Sequence, residues 1–468
     1  MKRIKTSIEV LSQDELMLIH NAALKTLDRV GMRVPNDEVL QMCADLGCKI
    51  DLETKQVKFP TAVIEQFIDG MRAESTMKPS ENAQELRGWI STQVSLVDYV
   101  SGTRRYGLRD DNFKNIKLVE KLKNIPACNA AVVPSDVPYE IADVVSIVDI
   151  QKYSTKPGGT YILTPFGAKY VSEINKVLGL RDSYLFETIS PLTFKQDTVE
   201  MALAFAKNGG GLGIAPMAMS SATAPVTISG TLVIETAEVL GSCFLVHMMT
   251  GEYPGFSASC HSIDPRTMLC SFGSPNQALF GVAVSQLGKF YGIQGGTNTG
   301  LTDALVPDFQ GGLEKGLTAA FNSMGGMHSI GCQGIVGADQ GFSYEQLVID
   351  NEWIDYYNYI VRGFDVTEDH IGYDMIEEVG IGGNFLGEEH TVEYLRESYW
   401  ISNLFNRDDW VNWTAKGSKS IYDRAHEFVE EVTAGYREME PVLEAGKCEE
   451  LDRIVQEAFR EAESKASR

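Results

Sequence analysis

The feature that most narrows what this chain can fold into is an alternation of two hydrophobic periods. From residue 94 to residue 362, short apolar runs take turns with helical patterns of ten residues or more. The runs fall at 94–100, 128–133, 160–163, 184–189, 212–217, 255–260, 292–296 and 329–333. Helical patterns fill 113–123, 139–153, 169–178, 196–207, 226–249, 276–290, 310–323 and 344–362. Eight strand candidates, each followed by a helix, predict an α/β chain whose simplest closed form is a (β/α)8 TIM barrel. The rival is an open doubly wound sheet, which usually holds fewer strands. Ser101-Gly102, between STQVSLVDYV and TRRYG, also predicts a hairpin at the start of the region.

The flanks read differently. Ser12 and Glu15 form a capping-box pattern ahead of Leu16, Ile19, Ala23, Leu27 and Val30 at helical spacing, closed by Gly31. Further helices are expected from Asp37 to Leu46, capped by Asn36, and from Pro60-Thr61 to Gly70. Residues 71–89 are polar and read as a connection. The expected organisation is an amino-terminal helical extension (1–90), a barrel (91–365) and a carboxyl-terminal aromatic segment with helices (366–468). Between Gly380 and Gly417 the tail carries Phe385, His390, Tyr394, Trp400, Trp410 and Trp413, too apolar for a linker, and is expected to pack on the barrel. Residues 418–442 and 447–461 read as amphipathic helices.

Composition excludes several classes of function. A net charge of -23 repels a phosphate backbone, so no nucleic-acid partner is expected. The eight cysteines form no CxxC pair, as expected of free thiols in a cytoplasmic protein. The start, MKRIKTSIEV, lacks a long apolar stretch, so no signal peptide is expected. The most apolar stretch, 230–249, carries Glu235 and Glu238, so no membrane span is expected; its apolarity makes self-association, a homo-oligomer, the expectation instead. The three-residue spacing puts both glutamates on one helix face, where packing roles outrank catalysis. No HxH, HExxH or Cys/His cluster offers a metal site, and no GxSxG signals a nucleophile elbow. Gly209-Gly210-Gly211 precedes a strand rather than following one, which is the wrong context for dinucleotide binding.

In a parallel α/β protein, ligands sit at the carboxyl ends of the strands. The stretch 293–310, IQGGTNTGLTDALVPDFQ, is such a strand–loop–helix unit, rich in hydroxyls and amides with one acid, Asp303. Glu187 is an acid within an apolar run, so it must face a polar cavity or a partner. Gln333 ends the last run, and His390 neighbours Glu388 and Glu389. Tyr99, Phe166, Phe194, Phe256 and Phe342 fall near the expected mouth. Two or three such rings suit a quaternary ammonium ion, which their negative faces attract.

Further residues carry a resemblance. These are Val30-Gly31, Val57-Lys58-Phe59-Pro60, Ser190-Pro191-Leu192, the run 222–227 with Ala237-Glu238, and Thr302-Asp303, Pro307-Asp308 and Gln310. In the tail they are Asn384-Phe385-Leu386, His390-Thr391, Arg407, Trp413 and Gly417. With these the chain resembles the trimethylamine methyltransferase family over nearly its whole length, in the branch that lacks pyrrolysine. The resemblance implies a (β/α)8 barrel that moves a methyl group to the Co(I) corrinoid of a partner protein, with no cofactor bound covalently to the chain itself. Leu305 stands closest to the pyrrolysine position, and that departure argues against methylamine as substrate. The expected substrates are betaine-type quaternary amines such as glycine betaine, proline betaine, carnitine or γ-butyrobetaine.

Loss of the special residue has a chemical reason. A quaternary nitrogen leaves as a neutral tertiary amine, so neither a proton donor nor a covalent adduct is needed. The protein must hold the methyl in line with cobalt, exclude water and bind both ends of the substrate. Tyr99, Phe166, Phe256 and Glu187 are expected near the cation; Gly295, Gly296, Asn298 and Gln333 near the carboxylate, with His390 as a further binding candidate. No catalytic residue is assigned. The alternatives are a pyrrolysine-independent methylamine methyltransferase, which would need an acid for the departing nitrogen, and a non-catalytic betaine-binding protein.

Overall fold

The computed structural model describes residues 4–5, 8–75, 83–293, 295–327 and 329–466. At its amino terminus α1 (Gln13–Arg29) starts at the expected box: the Ser12 Oγ accepts from the Glu15 amide, and the Ser12 amide donates to Glu15 Oε2 at 2.8 Å. Helix α2 (Asp37–Asp45) is capped by the Asn36 side chain. Helix α3 (Thr61–Glu74) runs through Gly70, where a stop was expected. Packing overrides the glycine: a Cβ there would lie 2.6 Å from the Tyr253 hydroxyl. The extension is also not purely helical. Met32–Arg33, Gln56–Lys58 and Lys49–Asp51 form a small antiparallel sheet. Gly31 permits the tight entry, with φ +80° and no space for a Cβ against the Val57 carbonyl.

Beyond residue 83, extended segments alternate with α4 (Arg109–Val119), α5 (Ala142–Tyr153), α6 (Pro165–Leu178), α7 (Gln196–Lys207), α8 (Ile228–Thr250), α9 (Pro275–Tyr291), α10 (Phe309–Gly325) and α11 (Tyr344–Arg362). The pairing is parallel. Ser183–Glu187 runs beside Gly211–Ala215, Met219–Ser220 beside His261–Ile263, and Phe256–Ser257 beside Gly295–Gly296. Gln93 bridges Val132, while the Cys128 and Ala130 amides donate to the Pro157 and Gly159 carbonyls at 2.9 Å. Arg87–Ile90, the first segment, pairs with Ser329–Gln333, the last. The mixed α/β class is as expected, with sequence neighbours lying side by side.

Three details depart from the expectation. The first parallel strand is Arg87–Ile90, inside the stretch read as a polar connection; its burial alternates, with Gly88 and Ile90 inside. The run at 94–100 supplies instead the hairpin Ser95–Asp98 and Thr103–Tyr106, antiparallel around Gly102. The runs at 128–133 and 160–163 are extended without a regular ladder. Their neighbour Gly158 shows how close the backbones come, since a Cβ there would sit 1.8 Å from the Cys128 carbonyl oxygen.

Helix α8 is long and apolar enough to cross a bilayer, but most of it is buried within the chain. α1 and α3 pack on it, and Phe59 and Phe67 meet Phe244 edge-on. Most of its apolar surface is therefore spent inside the chain, with Ile228, Val233, Ile234, Met248 and Met249 partly exposed. A second apolar cluster joins Ile116, Leu347 and Val429 where α16 (Ile421–Thr433) covers α4 and α11. A third joins Val145, Ile174 and Leu451 under the final helix, α17 (Ala445–Ala466).

The tail between α11 and α16 does not pack as expected. Helices α12 (Glu368–Ile371), α13 (Tyr373–Val379), α14 (Glu389–Ser398) and α15 (Trp410–Ala415) bury no residue at all. Only the middle of this segment returns to the body: the Trp400 indole donates to Asp355 at 3.0 Å, and Leu404 is buried.

Candidate functional site

Residues from several of the extended segments and the loops that follow them surround a cavity of about 500 Å³. Trp89 and Ser91 come from the first segment, Asn129 and Tyr161 from the two irregular ones, and Leu185 from Ser183–Glu187. Ser257 and Ser259 follow, then Gly296, Thr297 and Asn298, and last Gly331 and Cys332. A neighbouring cavity of about 480 Å³ shares Ile90, Asn129, Tyr161 and Leu185 with it. Glycines at 296 and 331 keep the wall thin, so the cavity meets backbone as well as side chains.

The chemistry differs around this wall. Ser257, Ser259, Thr297 and Asn298 are uncharged hydrogen-bonding groups. The Thr297 hydroxyl is buried and has no hydrogen-bond partner among the described residues. Such an orphaned group is costly unless something bonds it. Tyr161 is different: its hydroxyl meets Ser91 Oγ at 3.0 Å, and burial raises its pKa, with Cys332, Glu187 and Asp339 adding to the rise. Glu187 and Asp339 therefore act on this one residue of the wall, though neither lines the cavity. Asp339 accepts from Gln93 Nε2 at 3.2 Å, and burial pushes its carboxyl up. Glu187 is open to solvent, yet enough protein surrounds it for burial to raise its carboxyl, while the Lys195 ammonium pulls the other way.

The backbone is strained on this side. Cys332 (φ +64°), Ala338 (φ +52°) and Asp339 (φ +63°) occupy the left-handed region without being glycine. Such conformations persist where the surroundings over-determine them, and they gather at functional sites.

Several supports act from behind the wall. Glu235 accepts from the Ala218 and Ser259 amides at 2.7 Å, joining two segment ends. Glu238 accepts from Ser190 Oγ and the Leu192 amide at 2.6 Å. Burial raises both carboxyls and these hydrogen bonds oppose it. The packing role expected for this pair is the geometry observed. His261 is buried with Nδ1 2.9 Å from Gln277 Oε1, while Gln277 Nε2 donates to the Asn298 carbonyl at 2.7 Å. Burial lowers the His261 pKa to about 4.

The loop from 300 to 308 is pinned from two directions. Asp303 accepts from Ser271 Oγ and the Phe272 amide, at 2.9 and 2.7 Å. Glu314 accepts from Thr302 Oγ1 at 2.6 Å, and the Gly337 amide donates to the Ala304 carbonyl at 2.7 Å. Leu305, the position the resemblance equates with pyrrolysine, is exposed and lies against Gly337.

Of the candidates from sequence, Gly296 and Asn298 line the cavity, and Glu187 acts on its Tyr161. Gly295 lies one residue away in the ladder with Phe256. The others are committed elsewhere. Phe256 is core, stacked 5.5 Å from Tyr291. Tyr99 donates to Asp423 and stacks on His426, which docks the hairpin on α16. Phe166 already carries a cation, with Lys465 Nζ 4.2 Å from its centroid. Gln333 is fully buried outside the cavity lining, in the space left by Gly88 and Gly300; its Nε2 donates to the Gly331 carbonyl, while its Oε1 has no hydrogen-bond partner among the described residues. His390 bonds the Asp369 carbonyl and packs on Tyr394 in the tail. Phe194 stacks on Phe186, and Phe342 is buried beside Tyr344. The aromatic groups that do reach the cavity, Trp89 and Tyr161, were not singled out. Trp89 hid in a stretch read as a connection; Tyr161 stood in a run of only four residues. Among the described residues no group of three His, Cys, Asp or Glu side chains is placed to hold a metal ion.

Comparison with known proteins follows the same line. Residues 1–463 match the family described as trimethylamine methyltransferase (MTTB). A relative in Methanosarcina barkeri, trimethylamine methyltransferase MttB, is 28% identical, covering 96% of this chain and 95% of its own. A glycine betaine methyltransferase of Desulfitobacterium hafniense is 26% identical, covering 93% of this chain and 94% of its own. The solved monomethylamine methyltransferase of Methanosarcina barkeri covers 91% of this chain and 95% of its own at 15% identity, with a TM-score of 0.45, too low to establish a shared fold. With a family match that spans all but the last few residues, the chain belongs to the trimethylamine methyltransferase family and is a methyltransferase.

Proposed function

We propose that the chain takes a methyl group from a betaine-type quaternary amine and passes it to the Co(I) corrinoid of a partner protein. In this reading the eight extended segments form a (β/α)8 barrel whose mouth is the cavity, and the enzyme works in the cytoplasm. The observation that carries the reading is the division of the cavity wall. Trp89 and Tyr161 line it, with Glu187 and Asp339 acting on Tyr161, and most of the other polar lining is hydroxyl and amide. A permanent cation suits the first set: Trp89 and Tyr161 offer ring faces, Glu187 and Asp339 offer charge. A carboxylate suits the second: Ser257, Ser259, Thr297 and Asn298 offer donors, one of which has no partner among the described residues.

The corrinoid supplies the nucleophile that accepts the methyl group. The chain's own residues bind the amine, fix its direction and keep water out. The departing tertiary amine is neutral, so nothing needs to protonate it. The glycine betaine methyltransferase among the relatives supports this substrate class.

A second reading has one observation in its favour. Glu187 and Asp339 are both pushed toward the protonated form, so either could supply a proton to a departing secondary amine. That would suit a tertiary methylamine such as the one acted on by the family's name-giving members. A methyl-transfer assay separates the readings. Reduced corrinoid protein is mixed with the enzyme and a panel of betaines and methylamines, and the loss of cob(I)alamin absorbance is followed. Turnover of betaines but not trimethylamine is expected. Turnover of trimethylamine alone would establish the second reading, and binding without any turnover would leave a betaine-binding protein.

A further inference from the structure

The glycine-rich run at 209–213 is unsuited to a dinucleotide, yet it shapes the interior of the molecule. Its end forms the strand Gly211–Ala215, which runs parallel to Ser183–Glu187. Side chains alternate across a strand. Leu212 and Ile214 are buried, as are Tyr184 and Phe186 beside them. The other face carries Gly211, Gly213 and Ala215, in register with Ser183, Leu185 and Glu187. Across these two strands Leu185 is the one large apolar side chain on that face. The interior of a parallel α/β barrel is ordinarily filled by bulky side chains. Glycine inside a strand weakens it, and often marks a place where another molecule comes close.

The space that results is the cavity of about 480 Å³ adjoining the candidate site. Ser183, Leu185 and Gly213 line it on one side, Gly158 and Gly159 on another. Ile90, Asn129, Tyr161 and Leu185 belong to both cavities, so the two meet there. The chamber lies along the strand face on the side away from Glu187, and no charged side chain lines it among the described residues. Its polar groups are engaged already. The Thr92 and Thr160 hydroxyls lie 2.9 Å apart, and Asn129 Nδ2 donates to the Ile90 carbonyl at 2.8 Å. Such a wall suits hydrocarbon and gives a charge no partner.

Resting on the reading that the site takes a betaine, we infer that this chamber holds an uncharged side chain carried by the substrate. The substrate is then the betaine of an amino acid with a hydrocarbon side chain, not glycine betaine, whose carbon between ammonium and carboxylate bears only hydrogen. Ammonium and carboxylate stay in the first cavity, and the side chain passes Tyr161 and Leu185 into the second. Gly213 sets this specificity. A Cβ there would lie 3.3 Å from Leu185 Cδ1, inside the room the side chain needs.

The test gives the full chain two ligands with the same charges, N,N,N-trimethylglycine and N,N,N-trimethylleucine. Calorimetric titration without corrinoid protein should find a dissociation constant at least about tenfold lower for the leucine compound. Turnover with reduced corrinoid protein should follow the same order in kcat/KM. Gly213→Val should remove most of that preference, and Gly213→Ala a smaller part of it; the alanine variant decides the point if valine unfolds the strand. Equal affinity of the unaltered protein for both ligands, or tighter binding of the glycine compound, overturns the inference and leaves the betaine reading standing. A preference that survives both substitutions overturns the role of this chamber. Absence of binding and turnover with either ligand overturns the betaine reading itself, and the inference with it.

Discussion

At the scale of single residues, the cavity acids give the sharpest test of the chemistry. If Glu187 and Asp339 act only through charge on a bound cation, Glu187→Gln and Asp339→Asn should each raise KM for a betaine about tenfold with kcat little changed. If one of them protonates a leaving amine, its replacement should instead lower kcat by about a hundredfold or more. Steady-state kinetics at saturating corrinoid protein reads the difference. His261 makes a stability prediction. Its folded pKa of about 4 lies below the usual histidine value. Below pH ~6.5 the unfolded chain therefore takes up a proton that the folded chain refuses until about pH 4. Its contribution is present above that window and is lost as pH falls through it, at about 1.4 kcal/mol per unit. Relative to His261→Gln, the unaltered protein should lose about 3 kcal/mol between those limits. Denaturant titrations of both proteins across the window measure it.

At the scale of elements, two contacts hold segments that local sequence leaves loose. Asp350 on α11 gathers Lys315 of α10 at 3.0 Å, the Gly334 amide at 2.7 Å, and Gln346 and Trp353 at 2.8 Å. The Lys315 and Asp350 side chains are wholly buried. Removing one partner leaves the other charge stranded, so Lys315→Met should destabilise the fold by about 3–5 kcal/mol. Replacing Asp350 by Asn alongside it should recover part of that loss in chemical denaturation. Gly158 is the other case. Its hydrogen lies where a methyl group would strike the Cys128 carbonyl. Gly158→Ala should cost at least about 2–3 kcal/mol and lower the melting temperature accordingly. An unchanged melting temperature would mean that the two segments part without penalty.

The helices explain which elements sequence could reveal. Gln196–Lys207 and Tyr344–Arg362 fall where the 3.6-residue period puts them, because their buried faces are continuous. The segments at 128–133 and 160–163 carried the apolar signal of strands but meet their neighbours through isolated bonds. A period of hydrophobicity reports burial, not hydrogen-bond partners. Arg87–Ile90 was missed for the converse reason: RGWI carries a charge and a glycine, and only pairing with Ser329–Gln333 makes it a strand.

At the scale of the whole molecule, the charge of -23 adds to the field of Glu187 and Asp339. It should raise the local concentration of a cationic substrate, an effect screened over ~10 Å at 0.1 M salt. Raising ionic strength from ~10 mM to ~500 mM should therefore raise KM for the amine a few-fold. A flat KM would confine the attraction to the cavity wall itself.

The sequence by itself determined the α/β alternation, the helix starts at Ser12 and Asn36, and the family, since these rest on local periods, caps and residue order. It set Gly296 and Asn298 at a strand end, where they line the cavity, because a strand end followed by a helix cap is a local pattern too. Only the tertiary structure decided that Trp89 and Tyr161 reach the cavity while Tyr99, Phe166 and Phe256 are spent on internal contacts. An aromatic ring looks the same in sequence whether it faces a ligand or a lysine. Which one it meets depends on residues distant in sequence, such as Asp423 for Tyr99, brought beside it only when the chain folds.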